Sequence, residues 1–301
     1  MDVTRRQMLI SAAVAATSAV PSASSAAAAP AERSPLVLFT KILDRMSTPE
    51  LVRTLKDIGF DGLDLTVRRN GHVEPAKVEQ ALPEVARLAH EAGLTIPMIA
   101  TELTSASDPT ARPILATAHK VGVQCFKTGY HDYDHRPIFT QIAEFQRDLL
   151  GLGELGRSEQ MVMGVHNHSG RRWGQAVWDT KETLERMPAG DPAGFYYDPG
   201  HATVEGGLGG WQVTLEIALT RMRMMAVKDF LWQKQDGKWD AVWVPLGEGM
   251  VHWSEILPLV LKSGYRGPIT LDLEYKTQDP VGSVRKDFAT LQKLLKDAQQ
   301  A

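Results

Sequence analysis

Three ionisable side chains fall close together in a glycine-containing stretch near residue 200. Asp198 ends a short aromatic strand predicted over residues 195–198, and a Pro-Gly pair stops that strand at once. His201 and Glu205 follow in what we predict to be a glycine-rich loop. A carboxylate on a rigid strand with an imidazole just past a turn is typical of a catalytic or metal-binding loop. The alternative is a surface turn in which Asp198 caps the loop and His201 is solvated.

Similar polar pairs end three other predicted strands, namely His166 with His168, Lys228 with Asp229, and Asp272 with Glu274. Residues two apart in a strand face the same side, so each histidine or carboxylate pair is expected to face together. Each pair alone has an ordinary structural explanation, but four strands ending this way favour a shared site. Oxygen and imidazole ligands without thiols suit one divalent metal ion such as Mn, Mg, Co or Zn.

The elements that would position these side chains alternate regularly as strand, loop and helix from residue 35 onward. Strands are predicted at 36–39, 61–67, 94–100, 122–127, 161–166, 195–198, 222–228 and 269–274, with a long loop before a helix at 252–262. Eight such units match a (β/α)8 TIM barrel, an α/β fold of about 250 residues whose active sites form at the carboxyl ends of the strands. An open doubly wound sheet is the alternative, but no glycine-rich phosphate loop follows the first strand. We predict a single domain over residues 32–301.

The amino-acid composition limits the classes of protein to which this chain can belong. The chain has 301 residues, 43% of them hydrophobic, and a formal net charge of −3, which argues against disorder and against a nucleic-acid partner. Cys125 is the only cysteine, which excludes an internal disulfide framework and a cysteine-based zinc site.

Residues 1–31 have the pattern of a twin-arginine export signal. Arg5 and Arg6 precede a mildly apolar run at 10–20, and the small residues at 29–31 offer a cleavage site. The run is too short and too rich in alanine and serine for a membrane span. Removing these residues would leave a net charge of −4, and the mature protein would be periplasmic. A non-cleaved N-terminal tail is the alternative.

Four segments carry a resemblance to a known family. They are DPGHATVEGG at 198–207, VKDF at 227–230, VPLGEGMVHW at 244–253 and GPITLDLEY at 267–275. Together they resemble the xylose isomerase-like TIM barrel superfamily, and more narrowly its sugar phosphate isomerase/epimerase branch. The resemblance covers residues 32–301 and is stronger in the second half.

The resemblance implies one divalent metal held by a Glu, an Asp, a His and a Glu from the fifth to eighth strands. Asp198 and Glu274 match two of these positions, and His201 matches the histidine that follows the aspartate. Two positions depart from the pattern, because the fifth strand carries His166 and His168 instead of Glu, and Ala226 stands in place of the seventh-strand histidine. Either His166 or His168 supplies the missing imidazole, or the metal is held weakly, or the site has lost it.

Together with their positions at predicted strand ends, the resemblance suggests roles for other side chains. Glu274, Lys228 and Glu205 are the candidate catalytic groups. Lys228 is expected to have a lowered pKa that lets it act as base or electrophile. For Glu205 a surface role is an equal alternative. The candidate substrate-binding residues are Lys127, His131, Asp272 and Trp232, where a solvated loop or ordinary packing is the alternative.

These observations predict a metal-dependent enzyme that moves a proton next to the carbonyl of a sugar, keto-sugar or cyclitol, as an isomerase or epimerase does. A lyase acting on a keto-sugar would share the first step. A carbohydrate-binding barrel without turnover is the alternative from another class, motivated by Ala226. A DNA endonuclease of the same fold is disfavoured by the negative charge. The expected partner is a small carbohydrate, and a homo-oligomer stays open.

Overall fold

The computed structural model describes residues 33–301, in which short apolar segments form the strands. In chain order these are β1 (Leu36–Phe39), β2 (Gly62–Thr66), β3 (Thr95–Ala100), β4 (Cys125–Lys127), β5 (His131–Asp132), β6 (Val162–His166), β7 (Arg172–Trp173), β8 (Gly194–Tyr197), β9 (Met222–Val227), β10 (Asp229–Gln235), β11 (Lys238–Val244) and β12 (Ile269–Leu271). Eight of them close into a parallel barrel in the order β1-β12-β9-β8-β6-β4-β3-β2. The predicted (β/α)8 barrel is confirmed.

The helices of the same residues follow the barrel strands. They are α1 (Thr48–Ile58), α2 (Val78–Glu91), α3 (Ala111–Lys120), α4 (Ile138–Ser158), α5 (Trp178–Glu185), α6 (Pro199–Gly206), α7 (Gly210–Leu219), α8 (Trp253–Lys262) and α9 (Pro280–Ala298). The first one begins with a capping box, in which Ser47 and Glu50 satisfy each other's backbone N–H groups and Pro49 stands in the first turn.

The main hydrophobic core lies between the barrel and its helices, and a smaller cluster fills part of the interior. The interior cluster consists of Met98, Cys125, Tyr196, Met224 and Ala226. The small side chain of Ala226 is fully buried there. The position where the resemblance implied a histidine ligand is therefore part of the barrel packing in this chain.

Two predictions of loops were wrong. The stretch after Asp198 is α6, because the Asp198 carboxylate accepts a hydrogen bond of 2.9 Å from the His201 N–H and Pro199 occupies the first turn. The long loop before residue 252 contains an antiparallel hairpin of β10 and β11, which is paired along its length from Asp229 with Val244 to Gln235 with Lys238.

Some predicted strands end earlier than expected. The seventh predicted strand corresponds to β9, which stops at Val227, and the eighth corresponds to β12, which stops at Leu271. Lys228, Asp272 and Glu274 therefore lie just beyond the hydrogen-bonded barrel. The carboxyl ends of parallel strands share one rim of a barrel, and these side chains therefore meet there.

The predicted export signal falls on residues 1–31, which lie outside the described part of the chain, and it stays a prediction. Among residues 33–301, no helix is both long enough and apolar enough to span a membrane.

Candidate active site

The Lys228 ammonium group lies at the centre of the polar residues that end the barrel strands. Its Nζ is 2.5 Å from Asp272 Oδ2, 3.2 Å from Asp198 Oδ2 and 3.4 Å from Glu274 Oε2. The same ammonium is 3.3 Å from His201 Nε2, and only 2% of the lysine side chain is exposed. One buried cation therefore binds three carboxylates, one from the end of β8 and two from the segment after β12.

This geometry corrects the expected pKa of Lys228. Burial alone would lower that pKa, but attraction to Asp198, Asp272 and Glu274 outweighs burial and raises it well above the usual value. The amine is therefore held in its charged form near neutral pH, so the predicted lowering of its pKa was wrong, while its predicted catalytic role stays a prediction. Burial alone would raise the pKa of Asp198, but the attraction of Lys228 and the hydrogen bond from the His201 backbone N–H outweigh burial and lower it.

Two histidines present unprotonated ring nitrogens toward this centre. His168 Nδ1 donates to the Ser169 carbonyl at 2.8 Å, which leaves its Nε2 as an acceptor. His201 Nε2 faces the Lys228 ammonium, which can only donate, so its Nδ1 donates to Ser169 Oγ at 2.8 Å. Burial is the main cause that keeps the pKa of both rings low. Both imidazoles are therefore neutral and oriented as metal-binding histidines usually are.

Donor atoms with metal-ligand spacing come from three residues. One ligand atom each of His168, His201 and Glu274 lies within 4.8 Å of the other two. The donor types fit a divalent ion, since imidazole and carboxylate are common ligands of such metals. Of the five predicted ligands, the structure thus brings three into one group.

The other two predicted ligands are engaged with each other. His166 Nε2 donates to Asp198 Oδ2 at 3.3 Å, and the Tyr130 hydroxyl is 2.7 Å from His166 Nδ1. Since both ring nitrogens of His166 have partners, this histidine orients Asp198. The Asp198 carboxylate in turn binds Lys228 and caps α6, which joins the site to the helix.

Next to the charged centre lies a cavity of about 160 Å³. It is lined by Phe39, Lys41, Asp64, Arg68, Lys127, Tyr130, His166, His168, Arg172, Tyr196, Asp272 and Glu274. A larger cavity of about 270 Å³ lies at the opposite end of the barrel, beside the first residues of β1 and β12, and contains none of these groups. We place the active site at the smaller cavity because the polar side chains with shifted pKa values line it.

Two further ionisable groups, Asp64 and Lys127, line the cavity. Asp64 Oδ2 accepts hydrogen bonds from the Tyr196 hydroxyl at 3.0 Å and from Thr270 Oγ1 at 3.2 Å. Burial raises the pKa of Asp64 to about 7. Burial and the nearby Arg68 lower the pKa of Lys127 to about 7, while its Nζ donates to the Thr128 carbonyl at 2.9 Å. Both groups can therefore change protonation near neutral pH.

Three predicted site residues lie away from this cavity. Glu205 accepts a hydrogen bond of 2.7 Å from the Gly170 N–H and so supports the loop after β6. His131 stacks on Phe145 with ring centroids 4.5 Å apart, and Trp232 lies on β10 with 40% of its surface exposed. None of these contacts involves a residue that lines the cavity, so the structure gives no support for the predicted roles of these three residues in catalysis or substrate binding.

The structure adds two residues that the sequence patterns did not mark, Arg172 and Tyr196, which both line the cavity. Arg172 follows the fifth predicted strand by six residues, and its return to the rim depends on the pairing of β7 with β5. No local pattern indicates that pairing.

The Asp229 carboxylate has a structural task instead of a catalytic one. It accepts hydrogen bonds from the backbone N–H groups of Phe230, Gly247 and Val251 at 3.0 to 3.1 Å. The loop at 244–253, which carries much of the family resemblance, is therefore tied to the residue that follows Lys228.

We predict that Lys228→Met destabilises the protein strongly. Removing the cation leaves three buried carboxylates without compensation, which typically costs about 3–5 kcal/mol in the free energy of unfolding. Urea denaturation followed by circular dichroism measures this change. Lys286→Met is the control, since Lys286 pairs with Glu248 at the surface and its loss should matter little. Equal effects of the two substitutions would contradict the central role of Lys228.

A second prediction concerns Asp64 and pH. The pKa of Asp64 is raised from 3.8 to about 7, so the native state holds a proton that the unfolded state releases. The contribution of this group to stability is therefore complete below about pH 4 and is lost as the pH rises to about 7, by up to roughly 4 kcal/mol. Asp64→Asn should flatten the pH dependence of the urea midpoint between pH 4.5 and 7. An unchanged slope would show that Asp64 ionises normally.

Comparisons with known proteins agree with this fold. A relative from Bacillus licheniformis, an inosose dehydratase, is 29% identical over 165 residues, which cover 49% of this chain and 51% of that protein. The match thus spans about half the length of the relative.

Two solved structures show the same barrel. The 3-keto-D-glucoside 4-epimerase of E. coli has a TM-score of 0.68 at 12% identity, with 87% of this chain and all of that chain covered. A xylose isomerase-like TIM barrel protein of Mycobacterium smegmatis in complex with magnesium has a TM-score of 0.65 at 14% identity, with 88% and 98% covered. At these identities the likeness concerns the fold alone.

The sequence of residues 52–294 matches the family described as xylose isomerase-like TIM barrel. That match covers well over half of the chain and includes the strand ends that carry Lys228, Asp198 and Glu274. The closed eight-stranded barrel agrees with it independently. This protein therefore belongs to the xylose isomerase-like TIM barrel family.

Proposed function

We propose that this protein is an isomerase or epimerase that moves a proton on the carbon next to the carbonyl of a sugar, keto-sugar or cyclitol. The observation that carries the proposal is the meeting of two neutral imidazoles, Glu274 and the Lys228 ammonium beside a small polar cavity. Acidic protons next to carbonyls are removed where a base and a stabilising positive charge lie together. The 3-keto-D-glucoside 4-epimerase with the same fold supports this class of reaction.

A divalent metal ion is part of the proposal, with His168, His201 and Glu274 as its ligands. When bound, such an ion would polarise the substrate carbonyl and the adjacent hydroxyl. The hydrogen bonds from the two Nδ1 atoms to Ser169 support this assignment, because they leave the Nε2 lone pairs for other partners, and His201 Nε2 would exchange the Lys228 ammonium for the ion. The magnesium complex of the Mycobacterium smegmatis protein adds support from a relative of the same fold. The identity of the metal, among Mn, Mg, Co and Zn, stays open.

The protein's own residues divide the remaining tasks. Asp272 lines the cavity, and burial raises its pKa to about 6, which suits a carboxylate that accepts a proton near neutral pH. Lys228 Nζ lies 2.5 Å from Oδ2 of that carboxylate, so Oδ1 is the oxygen that remains to accept a proton. Its fixed positive charge would stabilise negative charge on a substrate oxygen while the proton is moved. Lys228 thus acts as an electrostatic stabiliser and Asp272 as the proton acceptor.

A lyase is the second candidate, because the partial relative from Bacillus licheniformis is an inosose dehydratase. Elimination of water next to a carbonyl begins with the same proton removal, followed by loss of a hydroxyl one carbon further along. The same residues would serve both reactions. The two are separated by the product, which keeps its oxygen in isomerisation and loses one molecule of water in dehydration.

Proton exchange with solvent tests the proposed function. In deuterated water we expect the protein to place deuterium next to the carbonyl of at least one of D-fructose, L-ribulose and scyllo-inosose, as measured by proton NMR. Asp272→Asn should slow this exchange by about 10²-fold or more, since it removes the proton acceptor. Asp240→Asn, which changes an exposed carboxylate of the hairpin, is the control. Sugar binding without any exchange would favour a carbohydrate-binding barrel.

Metal content tests the proposed ligands. After reconstitution with Mn²⁺, inductively coupled plasma mass spectrometry should find about one equivalent per chain, as expected for a single-metal site. His201→Ala and Glu274→Gln should each reduce it sharply. His131→Ala is the matched control, because His131 packs against Phe145 outside the ligand group. Unchanged metal content in both ligand variants would refute the assignment.

Residues 1–31 bear on where the reaction takes place. We propose, on the sequence pattern alone, that they direct the chain to the periplasm. Phosphorylated metabolites are mostly cytoplasmic, so an exported enzyme would act on a sugar without phosphate.

A further inference from the structure

Three buried polar atoms around the active-site cavity have no hydrogen-bond partner. Among residues 33–301 these unpaired atoms include Asp64 Oδ1, Asp272 Oδ1 and Arg172 Nη1, and all three residues line the same cavity of about 160 Å³. Buried polar groups are paired in the great majority of native proteins, so a cluster of exceptions in one cavity points to a missing partner. Arg172 Nη1 can only donate, whereas each carboxyl oxygen accepts when ionised and can donate when it carries the proton.

The two unpaired carboxyl oxygens are suited to hydroxyl groups of a ligand. Asp64 is fully buried and Asp272 is 6% exposed, and the second oxygen of each is already bound, to Tyr196 and Thr270 in one case and to Lys228 in the other. The free oxygens can therefore accept from two donors on a ligand. A hydroxylated ring supplies such donors without adding charge.

The basic side chains that line the cavity favour an anionic ligand. Lys41, Arg68, Lys127 and Arg172 line it, against the three carboxyl groups of Asp64, Asp272 and Glu274. Within the described chain, neither Arg68 nor Lys127 forms an ion pair; Arg68 lies over the Phe39 ring and Lys127 over the Tyr130 ring. Arg68 is therefore a cation of the lining that has no carboxylate partner among the described residues.

Arg172 is placed to meet that anion. Its Nε donates to Asp132 at 2.9 Å, but the Asp132 side chain is 69% exposed, and its guanidinium carbon lies 4.4 Å from the centre of the Tyr130 ring. Nη1 is left buried and free on the cavity side of this arrangement. Guanidinium groups bind carboxylates well because their N–H groups match the spacing of the two oxygens.

We propose that the substrate is a hydroxylated carboxylic acid of monosaccharide size, with its carboxylate at Arg172 and Arg68 and its hydroxyls at Asp64 and Asp272. This inference rests on the proposed function and names the substrate class of the same site. The cavity is small beside the 300–1,000 Å³ of pockets for drug-sized ligands, which fits a single ring or short chain. It also favours a carboxylate over the larger phosphate group.

Isothermal titration calorimetry on the full chain in buffer with Mn²⁺ tests the proposal. The probes are D-glucuronate, D-galacturonate and D-gluconate, with D-glucose and D-galactose as neutral counterparts and D-glucose 6-phosphate as the phosphate arm. We expect at least one acid to bind about ten-fold or more tightly than its neutral counterpart, since a charge-assisted hydrogen bond contributes on this scale. No preference for any acid, or a preference for the phosphate, would overturn the proposal.

Variants assign the preference to the named residues. Arg172→Met and Arg68→Met should each remove most of the gain, whereas Arg172→Lys, which keeps the charge, should retain part of it. Arg87→Met makes the same charge change on the exposed face of α2, where Arg87 pairs with Glu84 and Glu91, and should leave binding unaltered. An acid preference that survives both Arg172→Met and Arg68→Met would place the carboxylate elsewhere and refute the inference.

The binding measurement separates this inference from the proposed function. Acid binding that depends on Arg172, without deuterium exchange into any bound acid or any keto sugar, would leave the substrate class standing and remove the enzymatic proposal. Deuterium exchange on neutral sugars without any preference for acids would do the reverse.

Discussion

The ion cluster around Lys228 is the interaction on which the rest of the active site depends. One ammonium group, 2% exposed, lies within 3.4 Å of three carboxylates from β8 and from the segment after β12. Burying any of these charges alone would be costly, and only their mutual attraction and hydrogen bonds offset that cost. The cluster therefore holds the strand ends at fixed distances and keeps Lys228 charged.

The same residues connect the site to the fold. Asp198 caps α6 while it binds Lys228, and Asp229 ties the loop at 244–253 to the end of β9. Ala226 belongs to the cluster that fills part of the barrel interior. The neutral rings of His168 and His201 come from the segment after β6 and from α6. The candidate ligands thus differ from the set that the sequence resemblance implied, but they lie at the carboxyl ends of the strands.

Much of this could be predicted from the sequence. The alternation of apolar strands with capped helices predicts the barrel. The spacing of hydrophobic residues distinguishes a strand from a helix, and the capping residues locate the ends of each helix within a few residues. The strand-end pairs at His166, Asp272 and Lys228 place the polar rim, since parallel strands bring their carboxyl ends to one side of a barrel. Local patterns of this kind need no knowledge of distant contacts.

Only the tertiary structure decided which side chains meet and what charge they carry. Glu205 and His131 turn away from the cavity, while Asp64 and Arg172 enter it, and these directions follow from contacts between segments far apart in the chain. The pKa of Lys228 was expected to be lowered by burial, but three carboxylates within 3.4 Å raise it. Coulomb attraction depends on the distance between charges, and the sequence contains the charges without the distances.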